Sequence, residues 1–358
     1  MKSIKLILTF ALITIVLSGC GLGFKPKTDG AGVYKSFDYG EHWEQKNYAG
    51  NNGKKDLTIE GVETRYIIFD KNDHSLIYLA TQNAGLFVSE NAGEEWRQIF
   101  KSGYITSVTP DPTERGVIYL TQGNKIYKTL DFGNDWSVIY TETRAEVAMT
   151  SVAIDPKDTR QMFTSTSEGE ILRSDDLGQS WSLVTELDDN IVKVIINQND
   201  SNILYAGTLR KGLFRSGDNG KTWTNLKDRY IGLHSSNKHY RILTPDFSVY
   251  DGLFFVTDYG LLRTIDGGKT WQDLNLVTPK NSVKIYAFSV NPQDANHIYY
   301  TTKDTVYRTF DSGKNWLSAK MPTTNEPTFM QVDPETPNVV YLGVVREEAS
   351  PFFFVEYK

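Results

Sequence analysis

From residue 31 to the C-terminus the chain is a succession of short apolar runs closed by Gly, Asn, Asp or Pro. Runs of that length, rich in β-branched and aromatic residues and bounded by turn formers, predict strands. No long stretch carries apolar residues at a 3.6-residue period, so almost no helix is expected after the N-terminus. One run ends in Asp-Pro or a relative of it at 105–112, 149–156, 285–292 and 328–334, with looser versions at 65–70, 191–197 and 240–246. A second run follows it at 75–80, 116–121, 161–165, 203–207, 253–257, 297–301 and 338–343. A third leads into a polar turn, and a fourth starts at a Trp. The predicted unit is strand a, turn, strand b, loop, strand c, polar turn, strand d.

The polar turn is one pattern, Ser/Thr-x-Asp-x-Gly-x-x-Trp, repeated seven times, and it holds all seven tryptophans. Its Asp and Trp are Asp38 and Trp43, Asp131 and Trp136, Asp176 and Trp181, Asp218 and Trp223, Asp266 and Trp271, and Asp311 and Trp316. The second copy departs, with Asn91 before Trp96. An Asp or Asn side chain accepts backbone N–H groups within its own turn. Gly supplies a positive φ, Ser or Thr adds a local hydroxyl, and Trp covers the turn with aromatic surface. The Asp is read as structural, because a catalytic group is needed once and not once per repeat.

The Trp-to-Trp spacings are 53, 40, 45, 42, 48 and 45 residues. A repeat of that length built from four strands predicts an all-β propeller of four-stranded antiparallel blades. The chain opens on a c–d pair at 33–44 and closes on an a–b pair at 328–343. Seven c–d and seven a–b pairs make a single seven-bladed ring, its last blade closed by strands from both termini. Residues 351–358 look like one more strand c, competing with 33–36 for the closing place.

Composition then refines the picture. The formal charge of −6 argues against a nucleic-acid groove, which would carry a basic footprint. The first residues differ in kind: Lys2 and Lys5 precede an apolar stretch from Leu6 to Val16, too short for a comfortable membrane span. Leu17-Ser18-Gly19-Cys20 follows, and Cys20 is the only cysteine. This segment resembles a bacterial lipoprotein signal, which implies cleavage after residue 19 and lipid on the Cys20 sulfur. The expected organisation is a signal peptide at 1–19, a lipidated Cys and tether at 20–30, and the propeller at 31–358. The mature chain would sit in the cell envelope on the extracytoplasmic side, bound to the bilayer through Cys20. Fully extended, the tether at 21–30 spans at most ~35 Å.

The repeated turn resembles the Asp-box (BNR) motif shared by sialidases, oligoxyloglucan-type glucanases, sortilin receptors and the photosystem II assembly and stability factors. The likeness covers nearly the whole mature chain. Seven blades in one ring behind a lipid anchor look most like the photosystem II assembly group. That resemblance implies a non-catalytic scaffold engaging another membrane or extracytoplasmic protein. A carbohydrate-binding or glycoside-cleaving propeller and a sortilin-like peptide receptor are the alternatives. Sialidases carry an Arg-Ile-Pro element before the first box; here Tyr240-Arg241-Ile242-Leu243 lacks the Pro and lies in the sixth repeat unit. No metal site, cofactor or catalytic set is expected, and the closest histidines, His234 and His239, are read as surface loop.

The a–b and c–d turns are stereotyped and share one face of the disc. The d–a and b–c loops lie on the other face and vary, the longest being 45–64 and 227–239, and this variable face is the expected recognition face. Residues 51–55 and 230–239 should supply it with flexible and aromatic character. Counting five back from the Asp or Asn that ends strand a places Arg65, Thr106, Thr150, Val192, Arg241, Tyr286 and Thr328 around its centre. Arg65 and Arg241 could grip an acidic segment, with Arg210 and Lys211 extending the basic region. The alternative is that the arginines pair with acidic neighbours and order the mouth. A second repeated basic position (Lys35, Lys128, Arg173, Arg215, Arg263, Arg308) is read as blade-to-blade pairing.

Overall fold

The computed structural model describes residues 30–346 apart from 102, 234–239, 258–259 and 280–281. These residues form seven four-stranded antiparallel sheets and one two-stranded hairpin. The single helix among them, Lys227–Tyr230, has four residues. Six sheets take their strands in chain order, a to d from the axis outward. We number these blades 1 to 6, from the one carrying Asn91 to the one carrying Asp311. Blade 7 takes strands a and b, Glu326–Val332 and Val340–Val345, from the C-terminal side, and strands c and d, Gly32–Ser36 and Glu44–Gln45, from the N-terminal side. The closing register pairs Gly32 with Val344 and Ser36 with Val340. Residues 33–36 therefore fill the contested place, and 351–358 lie outside the described residues.

The alternation of the strands explains why the blades stack. Strand b is buried on both sides in most blades, as at Ile77–Thr81 and Leu204–Thr208. Its side chains meet the next blade on one face and the previous blade on the other. Seven apolar clusters result, one at each seam between neighbouring blades. The seam of blades 7 and 1 joins Val33, Phe329 and Tyr341 to Ile67, Ile77, Leu79 and Trp96. Each such side chain contributes ~1.5–3 kcal/mol on burial, so the ring is held by its seams and depends on closure.

The repeated turn closes on itself. In blade 7 the Ser36 hydroxyl donates to Asp38 Oδ1 (2.8 Å) and accepts the Gly40 N–H (2.8 Å), while Asp38 Oδ1 also accepts the His42 N–H (2.9 Å). Asn91 Oδ1 accepts the corresponding Glu95 N–H (2.9 Å), so an amide serves in place of the carboxylate. All seven box glycines have φ between 79° and 86°. The residue before each is left-handed too: Tyr39, Ala92, Phe132, Leu177, Asn219, Gly267 and Ser312. Trp43, Trp181 and Trp223 donate their indole N–H to their own box glycine carbonyl. Trp96, Trp136 and Trp316 instead donate to carbonyls in or just beyond strand d of the preceding blade, at Lys46, Ile99 and Asn275 (2.8–2.9 Å).

Two expected loops differ. Residues 45–64 are not an open loop: Tyr48–Asn51 and Asp56–Thr58 pair as a hairpin. Tyr48 O accepts the Trp96 N–H of the next box (2.9 Å), and Ile59 enters the core. The tip at 51–55 is tied by the Asn51 and Asn52 side chains, because both amides accept N–H groups within the turn. Tyr230 is buried, and its hydroxyl accepts the Leu213 N–H (3.1 Å), so it serves the core and not the surface. His234 and His239 lie outside the described residues.

Candidate functional site

Strands a and c end at the stereotyped turns, here the box face. Strands b and d end at the variable loops, here the loop face. The mouth of the axis on the loop face is built by a backbone irregularity. Strand a is bulged in blades 1, 3, 4, 5 and 7, and the unpaired residues are Arg65, Thr150, Val192, Arg241 and Thr328. Thr106 and Tyr286 stand one residue before strand a of blades 2 and 6, each N–H bonded to strand b. The seven positions counted from sequence are thus one structural layer. A bulge re-aims side chains locally: Val192 packs against the apolar seam of blades 4 and 5, while Thr106 and Thr328 bond to neighbouring blades at the mouth.

Neighbouring blades are stitched there by polar groups. Thr64 and Thr328 share a hydroxyl bond (3.0 Å). Thr106 Oγ1 donates to Met149 O (2.8 Å), and the Val194 N–H donates to Ser151 Oγ (3.0 Å). Arg65 Nη1 donates to Ile105 O and Thr106 O (2.6 Å each). Its guanidinium lies over the rings of Tyr104 (4.7 Å) and Tyr66 (5.5 Å). Arg65 therefore orders the mouth through carbonyls and aromatic faces, and among the described residues no carboxylate pairs with it.

Sequence reasoning missed Lys193. It sits in strand a of blade 4, nearly opposite blade 1 across the ring. Solvent reaches Lys193, yet its ammonium is pushed below the usual lysine range, first by desolvation and then by the positive charge of Arg65. A wet side chain hemmed in by protein fits an axial channel. Among the described residues neither Arg65 nor Lys193 makes a salt bridge. The available signal was a lone charge inside the apolar strand Ile191–Ile196.

The remaining site residues fall elsewhere. Asp189 is buried, and its carboxylate accepts the backbone N–H groups of Arg210 and Lys211 (2.7 Å each). Asp189 also pairs with the Arg210 guanidinium (3.2 Å), while Lys211 pairs with Asp188 (3.5 Å), so both loop cations are already compensated. Tyr286 carries the Lys284 ammonium over its ring (4.6 Å). Arg241 is placed in the bulge by its backbone, and its side chain lies outside the description. The repeated basic position proves mixed. Lys35, Lys128, Arg173, Arg215 and Arg263 each lie over the aromatic ring opposite them on strand b of their own blade. Two of these five also reach the next blade, Lys35 to Ala92 O (2.8 Å) and Arg215 to Asp251 (2.8 Å), as does the sixth, Arg308, to Tyr39 O (2.9 Å).

The box face offers a competing surface. Phe247, Tyr250, Ile265, Phe310, Phe37 and Tyr39 are exposed across consecutive blades 5, 6 and 7. Beside them a cavity of about 100 Å³ opens between blades 4 and 5, lined by Asn197, Tyr205, Phe247 and Tyr250. Asp38, Glu41 and His42 bring potential ligand atoms within 4.8 Å of one another at an exposed box. Asp38 is already engaged by Ser36 and two backbone N–H groups, as in the boxes that have no histidine.

Comparisons with known proteins agree with this architecture. The family model of the photosynthesis system II assembly factor YCF48 matches residues 185–349, just under half of the chain. No curated protein sequence matches. Among solved structures, YCF48 bound to a D1 peptide superposes with a TM-score of 0.60 at 14% identity, over 80% of this chain and 94% of that one. YCF48 from Cyanidioschyzon merolae gives 0.57 at 15% identity, over 81% and 97%. The GH74 enzyme of Niastella koreensis gives 0.63 at 17% identity, over 84% of this chain but only 53% of the enzyme. This chain thus spans about half the length of that enzyme. At these identities the structures establish the fold, a seven-bladed Asp-box propeller like the YCF48 group.

Proposed function

We propose that the protein is a lipid-anchored, extracytoplasmic scaffold that grips an acidic segment of another protein at the loop-face mouth and catalyses no reaction on it. One observation carries the reading. Arg65 and Lys193 both come from strand a, in blades 1 and 4, neither paired with a carboxylate among the described residues; Arg65 lies over Tyr66 and Tyr104, and its charge helps to lower the Lys193 pKa. Like charges held together without a carboxylate repel, and an anionic ligand relieves that repulsion. An Arg fork already aligned by carbonyls and rings loses little freedom on binding. The likeness to YCF48, one structure of which holds a D1 peptide, supports a peptide-binding role. The run from Lys2 to Cys20 supports the anchor.

The test is a mild-detergent pulldown of the lipidated protein from its own membranes, beside an Arg65→Ala/Lys193→Gln variant. The expected result is a membrane-protein companion enriched by the wild type and reduced about tenfold or more in the variant, as for loss of paired charges in an interface. A companion retained by the variant would remove this site. The GH74 likeness favours a second reading, a glycan bound across the same face. Glycan arrays that light up while no protein companion appears would put it first.

A further inference from the structure

The tether leaves the ring from a fixed place. Strand c of blade 7 starts at Gly32 on the loop face and runs to its box, and Gly32 lies opposite Val344 at the end of strand b. Both ends of the described chain therefore emerge side by side on the loop face. The exit is pinned. Asn47 Nδ2 donates to Ala31 O (2.7 Å), and its Oδ1 accepts the Val33 N–H (2.8 Å). Gln45 Nε2 donates to Ala31 O (3.3 Å), and the Tyr34 hydroxyl donates to Gly30 O (2.9 Å). Gly30 and Ala31 are buried, so the chain is fixed to the ring from residue 30 onward.

We infer that the loop face is turned toward the membrane, and that the mouth takes an acidic segment rising from the bilayer beside it, the juxtamembrane part of a membrane-embedded protein. This rests on the proposed anchor at Cys20 and on the mouth as the binding site. Chain dimensions decide the orientation. Ten residues of chain, of any conformation, reach at most ~35 Å. A seven-residue strand such as Glu326–Val332 is ~23 Å tall, before its turns are added. Seating the box face on the membrane would make the tether run the full height of blade 7 and still reach the lipid, close to complete extension. Seating the loop face asks nothing of it. The mouth, with Arg65 and Lys193, then opens where segments leave the bilayer, and the apolar residues of the box face point into water.

Single-cysteine labelling tests this on the full lipidated chain in vesicles containing nitroxide-headgroup lipid. Cys20 is the only native cysteine and is blocked by lipid, so an introduced thiol labels alone. Asp304→Cys and Glu168→Cys place a fluorophore on the loop face of blades 6 and 3. Lys314→Cys and Gln179→Cys place it on the box face of the same blades; all four positions are exposed. The loop-face labels should be quenched about twofold or more relative to the box-face labels, since the faces stand ~20 Å apart. Equal or reversed quenching, with the protein still floating with the vesicles, would overturn the orientation and leave the anchor standing. A Cys20→Ser chain that floats as well as the wild type would overturn the anchor, and the orientation with it.

Discussion

The two faces of the ring obey different rules. On the box face the turn repeats itself: in all seven copies the Ser or Thr hydroxyl accepts the N–H of the box glycine. On the loop face strand a bulges in five blades, blades are joined by whichever polar group is at hand, and two cations have no carboxylate partner among the described residues. A feature repeated in every blade is one the blade itself requires. A feature that occurs once, such as Lys193, is not needed to build a blade and is free to serve something outside it. The box Asp residues, an obvious site in a single copy, belong to the scaffold on this argument.

The comparison breaks most sharply at the seams. Trp96 is 1% exposed and bridges blades 1 and 7, so Trp96→Ala should cost ~3–5 kcal/mol in chemical denaturation. Trp316, partly exposed, should cost less than ~2 kcal/mol on the same change. Equal costs would mean that the seams do not share the load as their burial indicates.

His297 is an irregularity on the regular face. It sits where blades 1, 4 and 7 place Leu76, Ile203 and Val339, packed against Phe310 (4.3 Å) and Tyr299 (4.8 Å) with Nε2 unpartnered. Desolvation by burial pushes its pKa from 6.5 down to about 4. Between those values the unfolded chain binds the extra proton and the folded chain does not. Stability should fall by about 1–3 kcal/mol as pH drops from about 6.5 to about 4, and be flat in this respect below. His297→Leu should abolish that slope in pH-dependent melts; an unchanged slope would place its origin elsewhere.

Smaller effects sharpen the view of the box. Ser174 Oγ accepts the buried Gly178 N–H (2.9 Å), so Ser174→Ala should cost ~1–2 kcal/mol. The carboxyls of Asp176, Asp218 and Asp311 are held at about 2, below the ordinary 3.8, first by the following Ser180 and Thr222 hydroxyls and the Asn315 N–H. The stability they give is complete above pH 3.8 and lost as pH falls through about 2, an acid limb separate from that of His297. Ala92 is left-handed with φ 56°, so Ala92→Gly should raise stability by ~0.5–1 kcal/mol. Arg65→Ala/Lys193→Gln should cost ~1–3 kcal/mol through the lost bonds to Ile105 O and Thr106 O, and should weaken partner capture under conditions where the variant is still folded.

Much of the fold was legible because the information repeats. Strand identity, blade number and closure by both termini follow from seven copies of one pattern, while the closing place, left open in sequence between 33–36 and 351–358, is taken by 33–36. The left-handed residue before each box glycine was not legible, because Tyr, Ala, Phe, Leu, Asn, Gly and Ser all occupy that position. The hairpin at Tyr48–Thr58 and the burial of Tyr230 depend on tertiary partners, Trp96 and Leu213, distant in sequence. At the mouth, counting back from strand a located the layer, but not that Arg65 would bond to carbonyls or that Asp189 would compensate Arg210. Lys193 escaped because one charge in an apolar strand has no periodicity to mark it.

The most direct test of the division between faces is photo-crosslinking in native membranes. A benzoylphenylalanine replaces either Tyr104, 44% exposed beside Arg65, or Phe310, 46% exposed on the box face. The two probes are matched in exposure, so only the face differs. The expected result is a discrete adduct with a membrane protein from position 104 and none from position 310, lost when Arg65→Ala/Lys193→Gln is added. An adduct from position 310 alone would contradict it and move recognition to the repeated face.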